Sequence, residues 1–113
     1  MVYPAGNGWS RINLNGLDMK NGTNSILINE ADDVATAIVE LHRGDIGKYT
    51  AAGRLIQVEI REEIPMYHKF AVRNISKSDR VLKYGEVIGQ ATCDIPAGAH
   101  VHTHNLSSPG RQK

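Results

Sequence analysis

The sequence predicts a small all-β domain with little helix, on three observations. Short runs such as LIQVEIR (55–61) and EVIGQATCDI (86–95) alternate apolar with polar residues, the period of a strand. Turn residues punctuate the chain at intervals of roughly 8–12 positions, helped by 11 glycines. The apolar inventory is mostly Ile, Val, Leu and Ala, with one Phe, one Trp and four Tyr, which suits short strands around a single modest core.

The elements follow in order. Residues 1–24 carry Gly, Asn and Ser without a sustained period and read as a loosely ordered extension, in which Trp9 is either an anchor or part of a mobile arm. Residues 25–30 (SILINE) have strand length. Residues 34–41 (VATAIVEL) fit a strand with Ala35, Ala37, Val39 and Leu41 on one face, and equally a short helix capped by Asp32 or Asp33. Arg43-Gly44-Asp45 is a turn. In 55–61, Ile56, Val58 and Ile60 face one way until Pro65 interrupts pairing. Residues 68–75 (HKFAVRNI) form another strand, Ser76 to Asp79 a polar turn, and 80–82 a short extended piece. Residues 86–95 are the longest strand, with Val87, Gly89, Ala91, Cys93 and Ile95 on its apolar side. That parity predicts a buried, structural Cys93 thiol. After the turn at Pro96-Ala97-Gly98 the chain enters AHVHTHN, and residues 108–113 read as a fraying tail. The folded domain is expected at 25–107. No heptad, internal repeat or low-complexity tract is evident.

Composition narrows the function classes. Thirteen basic residues against 12 acidic ones, for a net charge of +1, argue against a phosphate-tracking nucleic-acid protein. No apolar run approaches the roughly 20 residues of a membrane span, and the N-terminus lacks signal-peptide layout. A single cysteine excludes an intrachain disulfide framework and suits a reducing compartment. The expectation is a cytoplasmic domain that binds neither nucleic acid nor membrane.

Chemistry is densest in residues 83–105, KYGEVIGQATCDIPAGAHVHTHN, where His100, His102 and His104 alternate. On an extended strand, i and i+2 lie about 6.5–7 Å apart, so His102 and His104 can converge on one ion, whereas His100 and His104 stand about 13 Å apart unless the strand bends. Asp32 and Asp33 read as turn or cap residues, with hard-cation ligation as the alternative. His68 and Lys69, being adjacent, point to opposite faces of a strand.

The segments DDVATAI (32–38), YHKFAVRNI (67–75), VLKYGEVIGQAT (81–92) and IPAGAHVHTHN (95–105) resemble the SAF domain of the altronate and galactarate dehydratase family. This domain also occurs as a separate chain, the small subunit of two-component sugar-acid dehydratases and of sulfolactate sulfo-lyase. Tyr67 stands where the family usually has glycine. The resemblance implies a β-clip fold with a long bent hairpin. It also implies dehydration of a hydroxylated sugar acid, dependent on a divalent metal such as iron or manganese, in partnership with a large catalytic subunit. Such chemistry needs a base, a cation that stabilises an enolate, and help for the departing hydroxide. The candidates are His68 and Lys69 as catalytic groups, Lys69, Lys83 and Tyr84 (with Arg73 a weaker one) for the substrate carboxylate, and His100, His102 and His104 as metal ligands. Lys83 and Tyr84 also have a plain turn-making reading. Two other functions fit the same residues: a non-catalytic carbohydrate-binding or assembly module of the SAF type, and a structural domain whose edges pair as a homo-oligomer.

Overall fold

One four-stranded antiparallel sheet separates two cores. In the computed structural model, which describes residues 22–108, nine strands form: β1 Ser25–Ile26, β2 Val34–Ala37, β3 Ile46–Ala51, β4 Arg54–Glu59, β5 Lys69–Ala71, β6 Arg80–Lys83, β7 Glu86–Ala91, β8 His100–Val101 and β9 Leu106–Ser107. No helix occurs among the described residues, so none there is long and apolar enough to cross a membrane. The central sheet has the order β1-β2-β5-β8, flanked by the β3-β4 hairpin and by a three-stranded sheet β6-β7-β9.

Alternation sorts the central sheet's side chains. Val34, Ala71 and Val101 project to one face and join Ile75, Val81, Ala91, Ile95 and Ala99. Ala35, Ala37 and Phe70 project to the other and join Leu41, Tyr49, Ile60 and Ile64. Directly paired residues of antiparallel strands share a face, and the pairs Val34↔Ala71 and Ala35↔Phe70 fit that rule. VATA is therefore strand, not helix. Asp32 and Asp33 before it are buried and act on neighbouring turns instead of capping a helix.

The chain is also internally repetitive, in a way its letters conceal. A buried aliphatic residue (Leu41, Ile64, Ile75, Ile95) is followed three positions later by a residue with positive φ: Gly44 (94°), Tyr67 (70°), Ser78 (78°) and Gly98 (90°). In every copy the next N–H donates back across the turn, from Asp45 to His42, His68 to Pro65, Asp79 to Ser76 and Ala99 to Pro96, at 2.9–3.0 Å. This is type II geometry, with positive φ at the third turn position. The aliphatic residues then bridge in pairs, Leu41 to Ile64 and Ile75 to Ile95, one pair closing each core. Between the members of each pair lies a hairpin with a two-residue turn, Ala52-Gly53 in β3-β4 and Tyr84-Gly85 in β6-β7, both residues at positive φ. That is the I′ signature.

The 86–95 strand is shorter than alternation suggests. β7 ends at Ala91, Thr92 N–H is taken by the Asn105 carbonyl, and the odd-even parity is lost, which leaves Cys93 exposed rather than buried. Leu106 and Ser107, at the end of the expected domain, pair with Ala91 and Gln90 as β9. Asn24, expected in the N-terminal extension, is tied to Ile46, Lys48 and Ile38 by hydrogen bonds. Trp9, residues 1–21 and residues 109–113 lie outside the described residues.

Two predictions follow from this turn geometry. At Gly98, a Cβ would run into the Glu59 carbonyl oxygen, and φ is positive as well. Gly98→Ala should therefore lower unfolding free energy by roughly 2–4 kcal/mol, the sum of backbone strain and overpacking, as read by urea denaturation. Tyr67 holds its left-handed φ with its side chain 71% exposed. Tyr67→Gly removes that strain, and allowing for glycine's greater unfolded-state entropy should leave stability unchanged or raised by up to about 1 kcal/mol. A loss above that would show that the Tyr67 ring contributes packing of its own.

Candidate functional site

The β5-β8 register brings together histidines from two distant segments. Lys69 pairs with Val101 and Phe70 with His100, so the next rung places His68 opposite His102. His68 and Phe70 share a face, as do His100 and His102, and on this register all four lie on the Phe70 side of the sheet. His68 is thus the direct neighbour of His102 and the diagonal neighbour of His100. Ring centroids bear this out: His68–His102 4.5 Å, His68–His100 5.1 Å and His100–His102 5.5 Å, all stacked. His68 Nδ1 and His100 Nε2 are 2.9 Å apart and hydrogen-bonded. One ligand nitrogen from each of His68, His100 and His102 can be chosen so that all lie within 4.8 Å of one another.

The sequence pointed instead to His100, His102 and His104 as ligands, and to His68 as a catalytic group. His104 does come near, with its ring tilted against His100 at 5.4 Å rather than about 13 Å away, because the chain turns after Val101 instead of continuing as a strand. His104 is exposed and does not belong to the three-nitrogen group, whereas His68 does.

Two backbone anchors fix His100. Its N–H donates to Glu62 Oε1 (2.9 Å) and its carbonyl accepts from Asn105 Nδ2 (2.8 Å). Neither Glu62 nor Asn105 is apparent as a site residue from sequence. A short polar side chain following a histidine in a turn was the available signal for Asn105.

Burial is the main reason that His100 titrates below its ordinary range, with His68, His104 and His102 adding to it. His102 is lowered too, by desolvation, then His68 and Lys69. Both are therefore neutral near pH 7, the form that binds metal.

Lys69 leaves the sheet on the opposite face, as its adjacency to His68 requires. There it meets Lys83 and Tyr84. Burial first, then the Lys83 charge, makes its ammonium more acidic than an ordinary lysine. Lys83 Nζ lies 3.9 Å from the centroid of the Tyr84 ring, a cation-π contact. The turn carrying Lys83 and Tyr84 is held from beneath. Asp32 accepts N–H bonds from Tyr84 (2.9 Å), Gly85 (2.8 Å) and Asn29 (3.1 Å). Asp33 accepts from Leu82 N–H (2.8 Å) and binds Arg73 Nε and Nη2 (both 2.6 Å). Both carboxylates are thus occupied in supporting the hairpin, and Arg73 is committed to Asp33. The sequence's candidates fall into two groups: histidines on one face, and Lys69, Lys83 and Tyr84 on the other. The Lys69 charge reaches His102.

A second cluster, Glu40, His42 and Glu63, is exposed. His42 Nδ1 sits 2.6 Å from Glu63 Oε1, and that bond is the main reason the imidazole is raised and the carboxyl lowered. It fastens the 41–44 turn beside the Leu41–Ile64 bridge.

Comparison with known proteins agrees with this architecture. The family described as the altronate/galactarate dehydratase SAF domain matches residues 23–109. The chain is 35% identical over 83 residues to an altronate dehydratase of Bacillus subtilis, covering 74% of this chain and 16% of that one. It is 40% identical over 83 residues to an altronate dehydratase of Escherichia coli, covering 71% and 15%. It is also 34% identical over 86 residues to a (2R)-sulfolactate sulfo-lyase subunit alpha of Chromohalobacter salexigens, covering 73% and 92%. The chain thus spans about a sixth of the altronate dehydratases it matches, but nearly all of the sulfo-lyase subunit. With residues 23–109 matched as a unit, the chain belongs to the altronate/galactarate dehydratase SAF domain family.

Proposed function

We propose that this chain is the small subunit of a metal-dependent lyase acting on hydroxylated sugar acids, in the manner of altronate or galactarate dehydratase, and that it works with a separate, larger catalytic subunit. The single observation that carries the reading is the gathering of His68, His100 and His102, with ligand nitrogens within 4.8 Å of one another. Nitrogens bound to a common ion at about 2.0–2.1 Å stand roughly 3–3.5 Å apart. The 2.9 Å between His68 and His100 therefore needs only a small ring movement. Three imidazoles suit iron, whereas manganese would need added oxygen ligands from substrate or a partner.

A divalent cation supplies positive charge for a developing enolate and assists the departure of hydroxide. The chain's own residues do the rest of its share. His68, His100 and His102 hold the ion, and His104 stands at its rim. Lys69, Lys83 and Tyr84 hold a substrate carboxylate. With His68 committed to the ion, Lys69 is the group here suited to proton transfer, because its lowered basicity brings it closer to working pH. The relatives support the need for a larger body: this domain is 15–16% of the altronate dehydratases, and in the sulfo-lyase it is a chain called subunit alpha.

The test is co-purification from the native host, followed by a metal-supplemented assay on aldonic acids, aldaric acids and sulfolactate. Activity should require both chains. His102→Ala should lower it by at least about 100-fold, since even groups one layer removed from a metal change its affinity by about 10–100-fold. A chain that purifies alone, with His102→Ala binding sugar acids as well as the parent does, would instead mark a non-catalytic binding module.

Protons and metal compete for the same imidazoles. Because His100 and His102 titrate below the ordinary histidine value of 6.5, Co²⁺ affinity should be nearly flat above that pH and fall as pH drops through their lowered values. Calorimetric titration at several pH values measures this. An affinity that declines already between pH 8 and 7 would place other ligands at the ion.

A further inference from the structure

We propose that Asn105 is the positioning residue that gathers the histidines into one site. This rests on the reading of His68, His100 and His102 as a ligand group. An unbroken strand would carry His100 and His104 about 13 Å apart. Instead, their rings lie 5.4 Å apart. The chain bends over residues 102–105, and Asn105 uses all of its polar groups to hold the bend. Its side-chain Oδ1 accepts the His102 N–H at 2.9 Å, and its Nδ2 donates to the His100 carbonyl at 2.8 Å. Its backbone N–H donates to the His102 carbonyl at 3.1 Å, and its own carbonyl accepts Thr92 N–H at 3.0 Å.

Asn105 is buried, so each of those groups has exchanged water for a protein partner. A side chain of this length that accepts from one histidine and donates to another is a carboxamide. Aspartate retains the acceptor but presents no donor when ionised, leucine has neither, and glutamine is one methylene longer. The Thr92 bond matters as well. It fixes the bend to the end of β7, and through the β7-β9 pairing Ala91↔Leu106 the histidine loop is held from both sides. The Glu62 carboxylate on the His100 N–H fixes where the loop begins, and Asn105 fixes how it curls.

The test uses the whole chain. Ring-proton nuclear Overhauser contacts among His68, His100, His102 and His104 report the gathering without any metal, and Co²⁺ titration reports the site. Asn105→Leu should abolish the His100–His104 ring contact, loosen that of His102 with His68, and weaken Co²⁺ binding by about 10–100-fold, while the Phe70 and Ile95 core signals stay in place. Asn105→Asp, which retains only the His102 acceptor, should fall between Leu and parent in the ring contacts. Ring contacts and Co²⁺ affinity unchanged in a folded Asn105→Leu would overturn the proposal. So would fast exchange of the His102 amide in the parent chain, a measurement that needs no variant to fold. A parent with intact ring contacts that binds no Co²⁺ would sink the metal reading alone, and the ring contacts of the variants would still decide the role of Asn105.

Discussion

The structure depends on a backbone constraint met four times: a buried aliphatic residue followed three positions later by a residue held at positive φ. The reversal this produces lets Leu41 bridge Ile64 and Ile75 bridge Ile95, and it aims the following segment into a hairpin or the central sheet. Short strands of two to six residues have little pairing energy of their own and, as isolated hairpins, are marginal at best. Here they are held because each chain reversal is fixed by local geometry and sealed by a core residue. Glycine meets the left-handed demand at Gly44 and Gly98. At Tyr67 and Ser78 an L side chain is forced into it, a tolerance that shows how firmly the surrounding bonds determine the path.

The histidine group inherits its geometry from that scaffold. His68 is the residue just after one such turn, and His100 lies two positions after another. Both turns feed strands of the same sheet. Once Phe70 is placed opposite His100, the same register aims His102 at His68, one residue past the end of β8 at Val101. The core side chain Phe70 thus sets the register of a polar cluster next to it, and a one-residue slip would send the histidines and Phe70 to opposite faces.

Much of the fold was legible in the sequence and the rest was hidden for identifiable reasons. Alternation revealed β4 because Ile56, Val58 and the following Ile60 face one core. In β5 the neighbours Phe70 and Ala71 serve opposite cores, and in β7 Val87 is exposed while Ile88 packs inward. Alternation missed β3, IGKYTA, whose inward positions are Gly47, Tyr49 and Ala51. Gly47 reads as a breaker, yet its missing side chain is what admits the Phe70 ring, since a Cβ there would stand 2.9 Å from Phe70 Cζ. Alternation overran at Cys93 because parity holds only while pairing lasts, and β7 stops at Ala91. The internal repeat escaped notice because φ, not residue type, is what repeats. At the site, the spacing of His100, His102 and His104 was visible, but the place of His68 depends on a partner 32 residues away.

The separation of His68 from Lys69 is a consequence of strand geometry with a chemical result. Adjacent residues on a strand cannot serve one pocket on one face, so the imidazoles and the ammonium groups lie on opposite sides of a thin sheet. Burial first and then the Lys83 charge make the Lys69 ammonium more acidic, and Asp32 holds the turn that carries Lys83 and Tyr84. Two neighbouring ammonium groups favour an anion from outside, while His100 and His102, lowered in pKa, favour a cation. A ligand that satisfies both must itself carry a negative end and oxygen atoms able to share a metal.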